Sequence, residues 1–226
     1  MVSNPNAQVI GIFPIPIYVA NYPNDTSAVV KYFDSQEFNE ATDGYGHISK
    51  NSYIIDHPIC EDLRGFVRAC MLDYGRNLHR YALDDIVFTQ SWLTRKSTNM
   101  FHKAHTHPNT LISSVFYYEM KPNDPPICFS YKAGANRKSF IEPAVLDDYQ
   151  QHPFSQFEYY HYPKQNDLVI FPSYLTHGVP PNPNKEFRKS LGINALPKGS
   201  IGDEETISYL DYSRYCLLYT SPSPRD

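Results

Sequence analysis

The stretch His105-Thr106-His107-Pro108-Asn109-Thr110-Leu111-Ile112-Ser113-Ser114-Val115-Phe116-Tyr117-Tyr118-Glu119-Met120 holds a strand and a candidate ligand pair in one run. From Leu111 to Met120 it is β-branched and aromatic, the composition of a strand. Just before that run stand two histidines two residues apart. Residues at that spacing in extended chain point to one side, so His105 and His107 can aim at one metal ion. His102 lies three positions before His105 and would face the other way in a continuous strand. A third ligand must then come from a distant segment. The best candidate is His177, at the mouth of a strand expected over Asp167 to Phe171.

Working outward, further strands are expected at Ile86 to Leu93, Ile127 to Tyr131, Phe157 to Tyr162 and Arg188 to Leu196, with Pro/Asn/Gly/Asp turns between them. Val9 to Val19 is apolar but marked by Pro14 and Pro16, so it reads as an edge strand or extended segment. Asp25-Thr26 can cap a short helix reaching about Phe33. A polar stretch from Asp43 to Asn51 reads as a loop, and Tyr53-Ile54-Ile55 as a brief strand. From Pro58, apolar residues at gaps of three and four (Ile59, Leu63, Phe66, Val67, Cys70, Met71, Tyr74, Leu78, Tyr81) predict one long helix packed on a sheet. Its opposite side carries Glu61, Asp62, Arg64, Arg68, Asp73 and Arg76.

Composition agrees with this pattern. The 226 residues include 19 Tyr, 13 Phe, 19 Pro and 9 His against 4 Met and 1 Trp, which excludes a helical bundle, a coiled coil and a collagen-like chain. With 41% hydrophobic and 19% charged residues, neither a disordered tail nor a membrane protein fits. A net charge of −4 leaves no footprint for nucleic acid. Cys60, Cys70, Cys128 and Cys216 have no metal or disulfide-scaffold spacing, and reduced thiols in a cytoplasmic protein are expected. The expected fold class is mainly β with flanking helices (α+β): a sandwich or jelly roll in one domain over residues 1–215. Residues 216–226 are low in complexity and read as a disordered or artefactual tail.

Of the nine histidines, His47, His57, His79, His152 and His161 have no partner spacing and read as surface or hydrogen-bonded residues. His105, His107 and His177 remain as metal candidates. Eleven residues beyond His177 stands Arg188, and Ser190 faces the same way on the expected strand. A strand-end salt bridge from Arg188 to Glu186 is the ordinary alternative. The combination resembles the iron(II)- and 2-oxoglutarate-dependent oxygenases. More closely it is similar to a prolyl-4-hydroxylase-like group found in marine phages and bacteria. The matching stretches are Ile12-Phe13-Pro14-Ile15-Pro16, Gln90-Ser91-Trp92-Leu93, His105 to Thr110, Ser113 to Tyr118, Asp167 to His177, and Arg188 to Asn194.

The resemblance implies a double-stranded β-helix of the cupin-like kind, an iron(II) site, and 2-oxoglutarate and dioxygen as cosubstrates. It implies decarboxylation to succinate coupled to C–H oxidation, probing no particular second substrate. Arg188 and Ser190 would bind the far carboxylate of 2-oxoglutarate. Trp92, Tyr117, Tyr118, Asn109 and Asn194 would be further lining residues, with core packing as the ordinary fate of the strand aromatics Trp92, Tyr117 and Tyr118. No general acid or base beyond the metal ligands is expected. The chain departs from the wider pattern at His107, where a carboxylate usually stands. Either His107 completes a three-histidine site, or it belongs to a turn with Pro108 and only His105 and His177 bind. Two other functions remain: a three-histidine cupin-type dioxygenase without a keto acid, and a non-catalytic metal-binding jelly roll. A halogenating enzyme is disfavoured, because such enzymes usually carry a small residue in place of the carboxylate. The partner is expected to be a small-molecule or peptidyl substrate, with no membrane and no nucleic acid, in the cytoplasm (the host's, if the protein is viral).

Overall fold

The computed structural model describes residues 14–42, 44–130, 158–202, 205 and 208–211. The strands among the described residues are β1 (Tyr18–Asn21), β2 (His47–Ile48), β3 (Asp85–Lys96), β4 (His102–His105), β5 (Ile112–Glu119), β6 (Ile127–Ser130), β7 (Glu158–His161), β8 (Asp167–Pro172), β9 (Thr176–Val179), β10 (Arg188–Lys198), β11 (Ser200–Ile201) and β12 (Leu210–Asp211). Two antiparallel sheets form the jelly roll, a six-stranded one in the order β1-β8-β5-β10-β3-β2 and a four-stranded one in the order β4-β9-β6-β7. The mainly β class with flanking helices is therefore what the chain adopts.

The large sheet is buried on both faces, which explains why β5 and β8 read as continuous apolar runs. Alternation along each strand divides their side chains. Phe116, Tyr118, Leu168, Ile170, Leu191 and Ile193 face the helices and form the larger core. Tyr117, Val169 and Phe171 face the small sheet, where Ile127, Phe129 and Leu175 meet them. The space between the sheets is therefore narrow and partly polar.

The helices are α1 (Ser27–Asp34) and α2 (Glu61–Asp73). Asp25, as expected, anchors the start of α1, its carboxylate accepting from the Ser27 backbone N–H at 3.1 Å and the Ser27 hydroxyl at 2.7 Å. The expected six-turn helix from Pro58 is shorter. Pro58–Cys60 is a 3-10 turn and Tyr74–Leu78 a π turn, so the α-helix proper ends at Asp73. The apolar stripe leaves the core at its outermost positions, with Ile59 43% and Leu78 49% exposed, while Cys60 and Tyr74 stay buried. Gly75 sits in the π turn, where a Cβ would lie 2.5 Å from Leu83.

Other local expectations also shift. Tyr53 to Ile55 is not a strand: Ile54–Asp56 forms a 3-10 turn that buries both isoleucines. The expected loop at Asp43 to Asn51 contains β2, which pairs with β3. β1 is indeed an edge strand but starts at Tyr18, after the prolines. His152, Cys216, all of residues 131–157 and the 216–226 tail lie outside the described residues. Cys60, Cys70 and Cys128 are free thiols. No helix among the described residues is long and apolar enough to cross a membrane.

Leu63 is fully buried where α2 meets the large sheet, far from the inter-sheet space. Leu63→Ala is expected to cost about 2–5 kcal/mol in urea unfolding, from lost burial and the cavity it leaves. Metal stoichiometry per folded molecule should not change.

Candidate active site

β4 and β9 pair antiparallel, and His105 lies directly opposite His177. The pairing is tight. A Cβ on Gly178 would stand 2.8 Å from the His102 carbonyl and 3.3 Å from Ala104, so glycine lets the two ligand strands touch. His107 comes from the loop after β4, not from a continuous strand as expected. Its backbone N–H donates to the Ser173 carbonyl at 3.0 Å, which ties that loop to the end of β8. The donor atoms of His105, His107 and His177 all lie within 4.8 Å of one another. The structure thus gathers all three residues into one cluster.

The donor set fits a metal ion. His105 Nδ1 donates to the Lys103 carbonyl at 2.8 Å and His177 Nδ1 to the Leu175 carbonyl at 2.9 Å. A carbonyl can only accept, so both rings carry their proton at Nδ1 and keep the Nε2 lone pair free. His107 Nε2 and His177 Nε2 are 3.1 Å apart. Two nitrogens at right angles about one ion, each about 2.1 Å from it, lie about 3.0 Å apart. Burial holds His107 at about 4 and His177 at about 3, and it lowers His105 as well. All three rings are neutral at neutral pH, the form that binds metal.

A continuous strand would turn His102 away from His105, and the structure corrects that expectation. A register shift between His102 and His105 breaks the alternation, and their rings stack at 4.4 Å. His102 therefore lines the same cavity, its pKa held at about 2 by burial and then by the Lys96 charge.

Strand alternation supplies the other wall. β3 pairs with β10, setting Trp92 opposite Gly192, Thr94 opposite Ser190 and Lys96 opposite Arg188. All six residues line a cavity of about 40 Å³ with the histidines. The Trp92 indole lies over Gly192, where a Cβ would stand 2.7 Å from the ring, and its centroid is 5.6 Å from that of His107. Ser190 and Thr94 share a hydrogen bond of 2.9 Å. Two hydroxyls hold two protons, and that bond uses one, so the other can be donated to a ligand. Arg188 is 1% exposed and makes no ion pair with Glu186. Its Nε donates to the Pro125 carbonyl at 3.1 Å and its guanidinium lies over Tyr117 at 5.2 Å.

Three buried donors of this cavity have no hydrogen-bond partner among the described residues: Arg188 Nη2, the Tyr117 hydroxyl and the Ser114 hydroxyl. Lys96 is 1% exposed, and burial with the neighbouring Arg188 charge pushes it down to about 7. Among the described residues no Asp or Glu lines the cavity. Such a surplus of donors and positive charge fits a carboxylate. Tyr117 serves both as core residue and as lining.

Asn109 and Asn194 lie elsewhere. With Trp92 and His107 they border a neighbouring opening of about 520 Å³, together with Ser52, Thr89 and Gln90. Asn109 takes φ 58°, a turn conformation that asparagine tolerates. Asn194 accepts from the Ser113 hydroxyl at 2.8 Å. Sequence reasoning missed Lys96, His102 and Ser114. It ended β3 at Leu93, although Lys96 has the same strand parity as Trp92.

Alanine at His105, His107 or His177 is expected to lower cobalt(II) affinity about tenfold or more, as read by the ion's visible absorption. Unchanged affinity in His107→Ala alone would reduce the site to two histidines. Gly178→Val should weaken the same binding by forcing β9 away from β4, with both ligands intact.

Comparison with known proteins adds family and fold. Residues 90–194 match the family described as "Putative 2OG-Fe(II) oxygenase". A prolyl-4-hydroxylase from Pseudomonas putida superposes with a TM-score of 0.55 at 16% identity, over 82% of this chain and 94% of that one. A Trichoplax adhaerens prolyl hydroxylase, solved with a hypoxia-inducible-factor peptide fragment, gives 0.54 at 12% identity over 91% and 87%. The non-heme alpha-ketoglutarate-dependent epimerase SnoN from nogalamycin biosynthesis gives 0.56 at 10% identity over 94% and 89%. No protein of curated function matches in sequence. The structural likenesses carry the jelly-roll fold. The family match spans Trp92, the three histidines, Arg188 and Ser190, and bears out the oxygenase resemblance read from the sequence.

Proposed function

We propose that this chain, whose residues 90–194 match the 2OG-Fe(II) oxygenase family, is a hydroxylase that holds iron(II) on His105, His107 and His177. When bound, iron(II) with 2-oxoglutarate and dioxygen supplies the oxidation of a C–H bond, yielding succinate and carbon dioxide from the cosubstrate. The single observation that carries the keto-acid reading is Arg188, buried at 1% exposure beside the histidines with Nη2 unpartnered. A three-histidine dioxygenase without a keto acid has no use for such a group. A solvated salt bridge would not be buried.

The chain's own residues orient and exclude. The carbonyls of Lys103 and Leu175 fix the rings of His105 and His177, so their lone pairs converge without rearrangement. Arg188 pairs with the far carboxylate through the edge that Pro125 leaves free, and the Thr94–Ser190 hydroxyl pair and Tyr117 add donors. Trp92, lying over Gly192, walls the cavity beside His107. Tyr117, Val115 and Ile127 close its apolar side and exclude water. The second substrate, small or peptidyl, would enter by the neighbouring opening, whose lining is uncharged and amide-rich. The cytoplasm is the compartment this reading favours, supported by the three unpaired thiols.

Incubation with iron(II), ascorbate and labelled 2-oxoglutarate should release labelled succinate, and His177→Ala should abolish it. Arg188→Met should raise the KM for 2-oxoglutarate roughly ten- to hundredfold while changing kcat less, since it removes charge-assisted hydrogen bonds made in the bound state. Absence of succinate above the His177→Ala level would overturn the proposal.

A further inference from the structure

Lys96 closes β3 as the direct cross-strand partner of Arg188. Partners in an antiparallel ladder project from the same face, and both side chains line the cavity between the sheets. Both are 1% exposed. Two buried cations side by side repel each other and lose their hydration, a cost normally met by a paired anion. None is in place among the described residues. No Asp or Glu lines the cavity, and Lys96 Nζ makes no hydrogen bond or ion pair among the described residues.

The donors around the pair share its bias. Arg188 has spent Nε on the Pro125 carbonyl, so its fork is reduced and Nη2 remains without a partner. Two rungs along the ladder, on the same face, the Thr94–Ser190 pair has one proton to give. An anion held by Arg188 therefore has room for a second positive group. A lysine ammonium is a compact point charge that can take the oxygen the guanidinium does not.

The geometry points to Lys96 as a second cationic anchor for the far carboxylate of the cosubstrate, held jointly with Arg188, so that the site selects dicarboxylic over monocarboxylic 2-oxo acids. This rests on the keto-acid reading above and extends it to a residue outside the Arg-x-Ser pair. A monocarboxylic acid leaves both cations without a counter-ion, so the discrimination comes from an unmet cost as much as from a gained contact. The iron ligands are neutral histidines, so no fixed carboxylate competes for Lys96 within this cavity.

Calorimetric titration of the full chain, metal-free and loaded with manganese(II), tests this with 2-oxoglutarate, glutarate and 2-oxobutanoate. Lys96→Met should weaken 2-oxoglutarate and glutarate roughly ten- to hundredfold and leave 2-oxobutanoate within about twofold. Lys96→Gln, which keeps a polar end, should show the same pattern, and thermal melting identifies any variant that fails to fold. If folded Lys96 variants bind 2-oxoglutarate as the unaltered chain does while Arg188→Met does not, the second anchor is wrong and the oxygenase reading stands. Equal weakening of all three acids would also overturn it, since that marks a general disturbance. If the unaltered chain binds neither 2-oxoglutarate nor glutarate in either metal state, both proposals fall.

Discussion

The antiparallel contact between β4 and β9 sets His105 against His177, and the histidine cluster depends on how closely those two strands approach. Gly178 makes that approach possible by leaving room for the His102 carbonyl. Once the strands touch, the ligand rings have little freedom. The Lys103 and Leu175 carbonyls take their Nδ1 protons, and burial keeps the rings neutral. His107 joins only because Ser173, at the end of β8, holds the loop that carries it. The cluster is therefore built from β4, the loop after it and β9, with two of its three rings oriented by backbone carbonyls.

The second constraint is the double burial of the large sheet. A sheet covered on one side by helices and on the other by a smaller sheet must be apolar on both faces, yet one region of the inner face is not. There β3 and β10 present Thr94, Ser190, Lys96 and Arg188 to the interior. Buried donors without partners are expensive, and a fold that retains several in one cavity is arranged for something that arrives later. The helix-facing core meets that cost elsewhere, through Leu63, Met71, Phe116, Leu191 and Ile193. Stability and chemistry are thus separated by strand parity alone, since alternate residues of the same strands serve each.

What was readable in advance was whatever depends on short-range pattern. β5 and β8 announced themselves by composition, the start of α1 by Asp25, and the ligand candidates by spacing and by resemblance. The misreadings have local causes. The helix from Pro58 is shorter than its pattern because periodicity continues to Leu78 and Tyr81, which are exposed. His102 was discounted because alternation was assumed to run unbroken, and a one-residue shift in register reverses it. β9 went unseen as a strand because its Thr-His-Gly-Val sequence is too short to carry a pattern.

By itself the sequence determined the types of chemistry available: neutral imidazoles, one arginine in register with a serine, and an aromatic β framework to bury them. Residue identity and two-residue periodicity are properties of the chain, so they survive without coordinates. Only the tertiary structure decided that Lys96 faces Arg188, that His102 turns inward, and that Asn109 and Asn194 border the outer opening. Those facts follow from strand register across some ninety residues and from how closely two backbones can approach. Neither is encoded in any local window.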